Sequence, residues 1–477
     1  MDKLIPKIGL EIHLELKTNT KMFCSCPNDP EEIHPNINIC EVCTGQPGVL
    51  PVVNKIAIEY AIKLAKALNC KINNISYFSR KNYFYPDLPK NYQISQYDLP
   101  LAINGYLDFY VNEEPKRVRI RRIHLEEDTG KLIHVEDSSL VDFNRAGIPL
   151  LEIVTEPDIR SAEEAKEFVE ELILVVRYLE ISDASPEKGE IRFEANISVA
   201  EGDKLGTKVE IKNIGSIRSL KDAINYEIER QMKLLKENKE IIQETRGFDE
   251  TKRITYSQRT KEFEQDYRYF PEPDLPPLIL DENYINKISL PELPEQKRIR
   301  YQEEFNLSFK EADILIKNKK LAEFYEEVIS EIKEEIDLYS FKTVYNLLVN
   351  DLLGFLAKYN KNLEDLSIKP TGFAKLVKSY LKNNINIKIV KDILEKIVAE
   401  NKEVEILLKE KEVIIDRNII EKLAEEAINN NPKAVSDFKK GKENAIQFLI
   451  GYIMKNSKGQ ADINLAKQIL IEKLKNA

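Results

Sequence analysis

The sequence predicts an α+β protein, with an antiparallel sheet covered by helices on one side and an all-α region after it. Three observations carry that expectation. Ile8 to Leu16, Arg117 to Arg121 and Ile191 to Val199 alternate apolar and polar residues with the period of a strand. Stretches of helical periodicity, such as Ser161 to Glu180, fall between them. From about Pro294 onward the alternation gives way to long helices of Lys, Glu, Leu and Ile.

At 477 residues the chain has room for roughly three domains. The expected divisions are a sheet domain over 1–292, a helical domain over 293–405 and a small helical tail module over 406–477. The longest apolar cluster, near Leu172 to Val176, falls far short of the ~20 residues that span a bilayer. MDKLIPKIGLEIH lacks the apolar core of a signal peptide, so the expectation is a cytoplasmic, membrane-free protein with reduced thiols. A net charge of -10 argues against wrapping of nucleic acid by the whole surface and leaves room for a local basic groove.

In IGLEIHLEL, Ile8, Leu10, Ile12, Leu14 and Leu16 share one face, while Glu11, His13 and Glu15 share the other. Such a polar face ordinarily meets water, and a His between two acids is also a metal shell. Cys24, Cys26, Cys40 and Cys43 follow as C-x-C, thirteen residues, C-x-x-C, the spacing of a structural zinc loop over 24–43 with no coordination position left for substrate. His34 lies inside that loop as a substitute ligand, and Cys70 reads as core. A helix is expected near Val53 to Leu68, with Ile56, Tyr60, Leu64 and Ala67 on its buried stripe. The tract SRKNYFYPDLPKNYQISQYDLPL, broken by Pro86, Pro89 and Pro100, reads as loop or edge turns in which Lys81 and Lys90 are the cations to watch.

Arg117, Arg119 and Arg121 share one strand face about 7 Å apart, a spacing that suits phosphate oxygens or neighbouring carboxylates. HLEEDTGK then sets Glu126, Glu127 and Asp128 in a row before Gly130, expected to allow a tight turn. Three adjacent carboxylates are either solvated or a site for hard cations. In DFNRAGIPLLEIVTEPD a turn around Gly147 leads into an apolar strand interrupted by Glu152, a carboxylate costly to bury unless paired or bound to metal. Ser161 and Glu164 mark a capping box, with Val169, Leu172, Val176 and Leu179 as the buried stripe of the helix behind it. IRFEANISV turns Arg192, Glu194, Asn196 and Ser198 outward, and KVEIKNIGS does the same with Glu210 and Lys212. A helix over Ile224 to Ile242 and a proline-dense tract ending near Leu280 close the sheet domain, and a patch near Glu400 to Lys411 reads as a linker.

No Walker A loop, G-x-G-x-x-G or G-x-S-x-G occurs, since GKENA at Gly441 lacks the hydroxyl after its lysine. Phosphates would then be carried by carboxylate-held metal and arginines, which favours metal-assisted phosphoryl transfer over acyl-enzyme chemistry. In the tail, Lys439, Lys440, Lys442, Lys455 and Lys458 form a basic cluster, either solubilising charge or a phosphate-contact surface.

Taken together these motifs resemble the B-subunit (GatB) family of aspartyl/glutamyl-tRNA amidotransferases. The resemblance is carried by GLEIHLEL, the cysteine pairs, RKNYFYPDLPKNYQISQYDLPL, HLEEDTGK, DFNRAGIPLLEIVTEPD, EIKNIGSIR, DYRYFPEPDLPPL and GKENAIQFLIGYIMKNSKG, and covers essentially the whole chain. It implies a cradle domain similar to glutamine synthetase, then a helical domain and a tRNA-engaging tail. The implied reaction is ATP-dependent amidation of mischarged Glu-tRNA(Gln) or Asp-tRNA(Asn), with ammonia supplied by a GatA-like amidase subunit and a small GatC-like subunit clasping both. The implied cofactors are ATP and Mg²⁺, beside the structural Zn²⁺. On the resemblance, Glu11, His13, Glu127 and Glu152 hold one Mg²⁺ and form the catalytic set, Glu126 and Glu210 lean toward a second, and Lys81, Lys90 and Glu194 match an ammonia gate. The chain departs from the family at Glu194, Phe193, Lys188 and Gly215, where Asp, Cys, an acid and Asn are usual. Two other readings compete: a noncatalytic zinc-containing RNA-binding protein, which leaves His13 and Glu152 unexplained, and a small-molecule carboxylate-amine ligase, which leaves the helical C-terminal third without a task.

Overall fold

A computed structural model describes residues 4–260, 266–332, 338–382, 384–409, 417–439, 442, 444–457 and 461–476. The chain divides into two compact units, Met1–Pro294 and Glu295–Ala477. In the first, nine of the described strands form one sheet in the order Ile254–Thr260, Glu244–Asp249, Val209–Ile214, Ile191–Glu201, Leu4–Glu15, Pro149–Thr155, Glu114–Glu127, Ala102–Val111 and Lys71–Ile72. Seven of the neighbouring pairs are antiparallel. Val209–Ile214 and Glu244–Asp249 are parallel, because the helix Ile217–Lys236 crosses over between them.

Leu4–Glu15 is central, and its alternation decides which face is which. Ile8, Leu10, Ile12 and Leu14 are fully or almost fully buried, with Ile123, Leu125, Ile153, Phe193 and Ala195 from its neighbours, in a core shared with the helices. Each such aliphatic side chain contributes roughly 1.5–3 kcal/mol on burial. The helices Lys55–Ala67, Ala162–Tyr178 and Ile217–Lys236 pack on the sheet, capped by Asn54, Ser161 and Ser216. The helices leave the other face to the polar residues.

Several elements differ from the sequence reading. Ile56 is exposed, and Ala57, Ala61 and Leu64 carry the buried stripe of the first helix. The Pro-rich tract contains two strands, Ser79–Asn82 and Tyr92–Ser95, which pair with each other, the first also with Phe270–Pro271, because the tract's prolines fall outside the paired residues. Glu244–Asp249 and Ile254–Thr260 extend the sheet in a stretch to which the sequence reading assigned no strand. The third helix runs Ile217–Lys236 rather than Ile224 to Ile242. Ser161 caps Glu164 N–H, but the Glu164 carboxylate accepts from Arg160 N–H, so the box is shifted by one residue. Gly130 is no left-handed turn: a Cβ there would stand 2.9 Å from Asp142 O, and close approach is what requires glycine.

In the second unit every described element is helical, from Pro294–Phe305 to Ile463–Asn476. Within 400–411, expected as linker, Val404–Lys409 is a short helix with Val404 and Leu407 buried. Ile420, Leu449, Ile453, Ile469 and Leu470 belong to a separate core cluster of the tail. No helix among the described residues is long and apolar enough to cross a membrane.

Candidate active site

Side chains directly opposite on paired strands share a face. His13 stands opposite Glu152 on one side and Arg192 on the other, and Glu152 stands opposite His124. One row across the sheet therefore reads Arg192, His13, Glu152, His124, and Glu126 follows His124 at the strand period. His13 Nε2 lies 3.6 Å from Glu152 Oε2 and 3.7 Å from Glu126 Oε1. His124 Nε2 lies 3.3 Å from Glu152 Oε2 and 3.8 Å from Glu126 Oε2. Arg122 reaches Glu152 Oε1 at 3.6 Å, and Ser95 Oγ donates to Glu126 Oε2 at 3.2 Å. Arg122, opposite Val154 and two residues before His124, reaches the same face by strand alternation, and the register shifts only beyond it, between Val154 and Thr155.

Burial pushes the imidazoles of His13 and His124 toward neutrality and loses to the carboxylates. Glu152 and Glu126 hold His13 above its ordinary value and His124 at about 9. Burial likewise opposes charge on Glu126 and Glu152, and His124 with its neighbours carries both below the usual carboxylate range. Lys81 belongs here too: burial disfavours its ammonium, and Glu126, Tyr269 and Glu152 more than restore it. The two carboxylates thus demand positive charge, and a divalent cation would answer the same demand.

On the other side of the central strand, which carries both Glu11 and His13, a second group forms. Glu11 pairs in register with Glu194, and Asn196 with Glu210. Glu11, Glu194 and Glu210 can each present an oxygen within 4.8 Å of the others, as His13, Glu126 and Glu152 can each present a ligand atom. Asn196 Nδ2 donates to Glu11 Oε1 at 2.8 Å, Lys212 Nζ reaches Glu194 Oε2 at 2.9 Å, and Thr245 Oγ1 donates to Glu210 Oε2 at 2.7 Å. Burial, then Glu152 and Glu194, raise the pKa of Glu11. Among the described residues the buried Asn196 Oδ1 has no hydrogen-bond partner, and it is one more oxygen beside the group. An oxygen-rich set of this kind fits a hard cation such as Mg²⁺.

Cys24, Cys26, Cys40 and Cys43 bring their sulfurs within 4.8 Å of one another. Cys43 is held at about 5 by its hydrogen bond with Cys24 against the cost of burial, helped by the Cys40 N–H at 3.1 Å and by Lys21. The donor set fits tetrahedral zinc. His34 is no substitute ligand, being largely exposed and bonded to Glu32, and Cys70 is half-buried with its thiol on Leu68 O.

The acidic run is neither solvated nor a single site. Strand alternation parts Glu126 from Glu127. Glu127 turns away from His13 and Glu152, accepting from Ile94 N–H at 2.9 Å and from Lys90 Nζ at 2.7 Å beside the cysteine loop. Asp128 accepts from Arg192 at 2.7 Å and lies 3.7 Å from Arg145; against burial these arginines hold it at about 2. The structure thus gathers His13 with Glu126 and Glu152, sets Glu11 with Glu194 and Glu210, and turns Glu127 elsewhere, instead of bringing Glu11, His13, Glu127 and Glu152 into one group. The expected gate is also redistributed, since Lys90 pairs with Glu127, Glu194 with Lys212, and Lys81 faces the histidine group. Arg117, Arg119 and Arg121 each form a two-point ion pair, with Asp108, Asp158 and Glu156. Phe193 is core, and Lys188 pairs with Glu31 of the cysteine loop. Lys439, Lys442 and Lys455 are exposed; Lys440 and Lys458 lie outside the described residues.

The sequence reading passed over His124, Arg122 and Thr245 as site residues. The first two were detectable, standing two and four residues before Glu126 at the strand period.

An α+β domain whose sheet face collects two clusters of carboxylate-bearing residues, with a separate four-thiol loop, is followed by a helical unit. Residues 6–286 match the model of the GatB/GatE catalytic domain, and 316–474 that of the GatB domain. The chain is 47% identical over 476 residues to the B subunit of the aspartyl/glutamyl-tRNA(Asn/Gln) amidotransferase of Persephonella marina, covering 98% of this chain and 99% of that one. The proteins of the same name from Carboxydothermus hydrogenoformans and Thermotoga maritima are also 47% identical, over 98% of both chains. The chain belongs to the GatB family of amidotransferase B subunits.

Proposed function

We propose that this chain is the amidating subunit of a cytoplasmic tRNA-dependent amidotransferase acting on Glu-tRNA(Gln), Asp-tRNA(Asn) or both. In the first step a side-chain carboxylate oxygen of the aminoacyl group attacks the γ-phosphorus of ATP, releasing ADP and leaving an acyl phosphate. In the second, ammonia attacks the acyl carbon, phosphate leaves and a proton is given up. The observation that carries the reading is the pair of carboxylate groups, His13/Glu126/Glu152 and Glu11/Glu194/Glu210, on one sheet face of a GatB-family chain.

Those two groups would hold Mg²⁺, which when bound neutralises phosphate charge. The chain's own cations serve the same end. Lys81 and Arg122, beside Glu126 and Glu152, orient an incoming carboxylate and offset its charge. His124, protonated to about 9, fixes the orientation of Glu152. The four cysteines would hold zinc as a brace for the loop. Lys90 and Glu127, nearly buried beside that loop, are suited to gate ammonia: the ion pair must part for a neutral molecule to pass. The ammonia comes from a GatA-like amidase subunit, with a GatC-like clasp, and the tail engages the tRNA.

The test is an amidation assay with purified subunits on both mischarged tRNAs, omitting each component in turn. Amide formation that requires ATP and this chain is expected. Product formed without the chain, or an assembled complex that amidates neither tRNA, overturns the reading.

A further inference from the structure

We propose that the stacked pair Tyr97 and Tyr269, with Arg268 between Tyr269 and Tyr267 in the chain, seats an unpaired nucleobase and presents its nucleotide to the His13/Glu126/Glu152 group. This deepens the function proposed above and rests on it. The two rings lie 4.1 Å apart between centroids and 8° from parallel. Tyr97 is 47% exposed, so the stack displays flat aromatic surface to solvent. Its inner member, Tyr269, is partly buried and feels the charges of Lys81, Glu126 and Glu152, which ties the platform to the reacting centre. Tyr267 meets Tyr269 edge-on at 6.1 Å and Tyr83 edge-on at 5.9 Å, with Lys81 Nζ 5.1 Å from the Tyr267 ring. The aromatic tract thus runs from the surface to the lysine that faces the carboxylates.

The backbone holds this arrangement in advance of any ligand. Asn82 N–H donates to Tyr267 O at 2.9 Å, Asn82 Nδ2 donates to Arg268 O at 2.8 Å, and Phe270 pairs with Arg80. Arg268 itself is left-handed, with φ 46, a conformation that L-residues adopt at a cost and that neighbouring contacts must maintain. Its side chain is exposed, and among the described residues no carboxylate pairs with its guanidinium. Neighbouring arginines behave differently: Arg80 is clamped on Glu272, and Arg117, Arg119 and Arg121 are each paired. The nearby acid Asp98 accepts from the Tyr77 hydroxyl. A flat aromatic surface with an exposed planar cation next to it in the chain is the combination that binds single-stranded nucleotides, by stacking on the base and a two-point contact to phosphate.

Two ligands carry that chemistry here, the 3′-terminal adenosine of an RNA and ATP. The chain contains no Trp, so Tyr97→Trp makes one reporter at the platform. Quenching of its emission is expected when the full chain is titrated with an RNA bearing an unpaired 3′ adenosine, or with ATP. The same RNA lacking that nucleotide and a base-free triphosphate are the controls, and the arm that quenches identifies the source. Tyr97→Leu and Arg268→Gln should each weaken binding of the quenching ligand about tenfold, with Tyr97→Phe within about twofold of the parent, as stacking predicts. Melting curves that coincide with the parent's establish that the variants are folded. If folded Tyr97→Leu binds both RNA and ATP as the parent does, the platform is refuted, while amidation by the parent complex leaves the proposed function standing. If binding falls as expected but the assembled parent complex amidates neither tRNA, the function is refuted and the platform stands.

Discussion

Glu152 lies between two imidazoles: His13 faces it from one neighbouring strand with Nε2 3.6 Å away, and His124 from the other at 3.3 Å. A carboxylate so placed sets the charge of both rings. Glu152→Gln removes the largest influence raising His124, and the opposing effect of burial remains, so its pKa should fall from about 9. With four histidines in the chain, NMR titration can resolve it. Amidation should fall on the order of a hundredfold, the scale of losing a preorganised charge from a reacting centre. An unmoved His124 titration would contradict the geometry.

Chelation should act on the cysteine loop before it acts on chemistry. One zinc per chain is expected, and Cys43→Ser should lower both zinc content and Tm, because the remaining three sulfurs lose their fourth partner. Metal analysis finding far less than one zinc in the parent would refute the site.

A pH dependence should arise from Glu15. Burial and the neighbouring Asp128 raise its pKa from 4.5 to about 9. A raised folded pKa contributes stability that is complete below the unfolded value and is lost as pH rises through the folded one. Stability should therefore decline from this source between pH 4.5 and about 9, on the order of 1.4 kcal/mol for each tenfold change in the acid dissociation constant. Asp128, lowered to about 2, works oppositely, its contribution being lost only as pH falls below 3.8 toward that value. Glu15→Gln should flatten the decline in urea midpoints measured from pH 5 to 9. An unchanged slope would show that the pair does not share charge as described.

The strands that build the site were legible where they alternate at length, as in Ile191 to Val199 and in Ile8 to Leu16, which alone assigns both faces, while Glu152 stood out as the one acid in an apolar run. The grouping of ligands was not, because it depends on register between distant segments. Nothing local to Glu126 and Glu127 states that one meets His13 and the other Lys90; strand alternation separates them, and only the position of the neighbouring strands says what each meets. The edge strands Glu244–Asp249 and Ile254–Thr260 escaped notice for a related reason. ETRGFD pairs through its backbone while Glu244 and Arg246 serve a buried polar network with Glu227 and Arg230, so hydrophobic alternation is weak.

The arginine ladder gives a prediction of the opposite kind. Arg119 holds Asp158 through two hydrogen bonds at 2.7 and 2.8 Å, with most of its side chain in solvent. Exposed ion pairs contribute little, and a guanidinium already engaged by a carboxylate is a poor phosphate ligand. Arg119→Ala should leave Tm and the KM for ATP nearly unchanged. A large rise in that KM would restore Arg117, Arg119 and Arg121 to the phosphate site.

The tail's lysines separate tRNA binding from chemistry. Lys439, Lys442 and Lys455 are exposed around a self-contained apolar cluster that includes Ile420, Leu449 and Leu470, so their replacement by Ala should leave the fold intact. Lys442 is partly committed to Asp437 at 3.2 Å, and should matter least. If these side chains meet phosphates, each lost contact releases fewer counterions on binding, and the slope of log K against log salt should shrink by about 0.9 per contact on duplex RNA-like geometry, or about 0.7 on a single strand. The triple variant should therefore raise the KM for tRNA, most at moderate salt, with kcat nearly unchanged. A KM and salt slope equal to the parent's would mean that these lysines serve solubility, and the tRNA contact must be sought on another face of the helical unit.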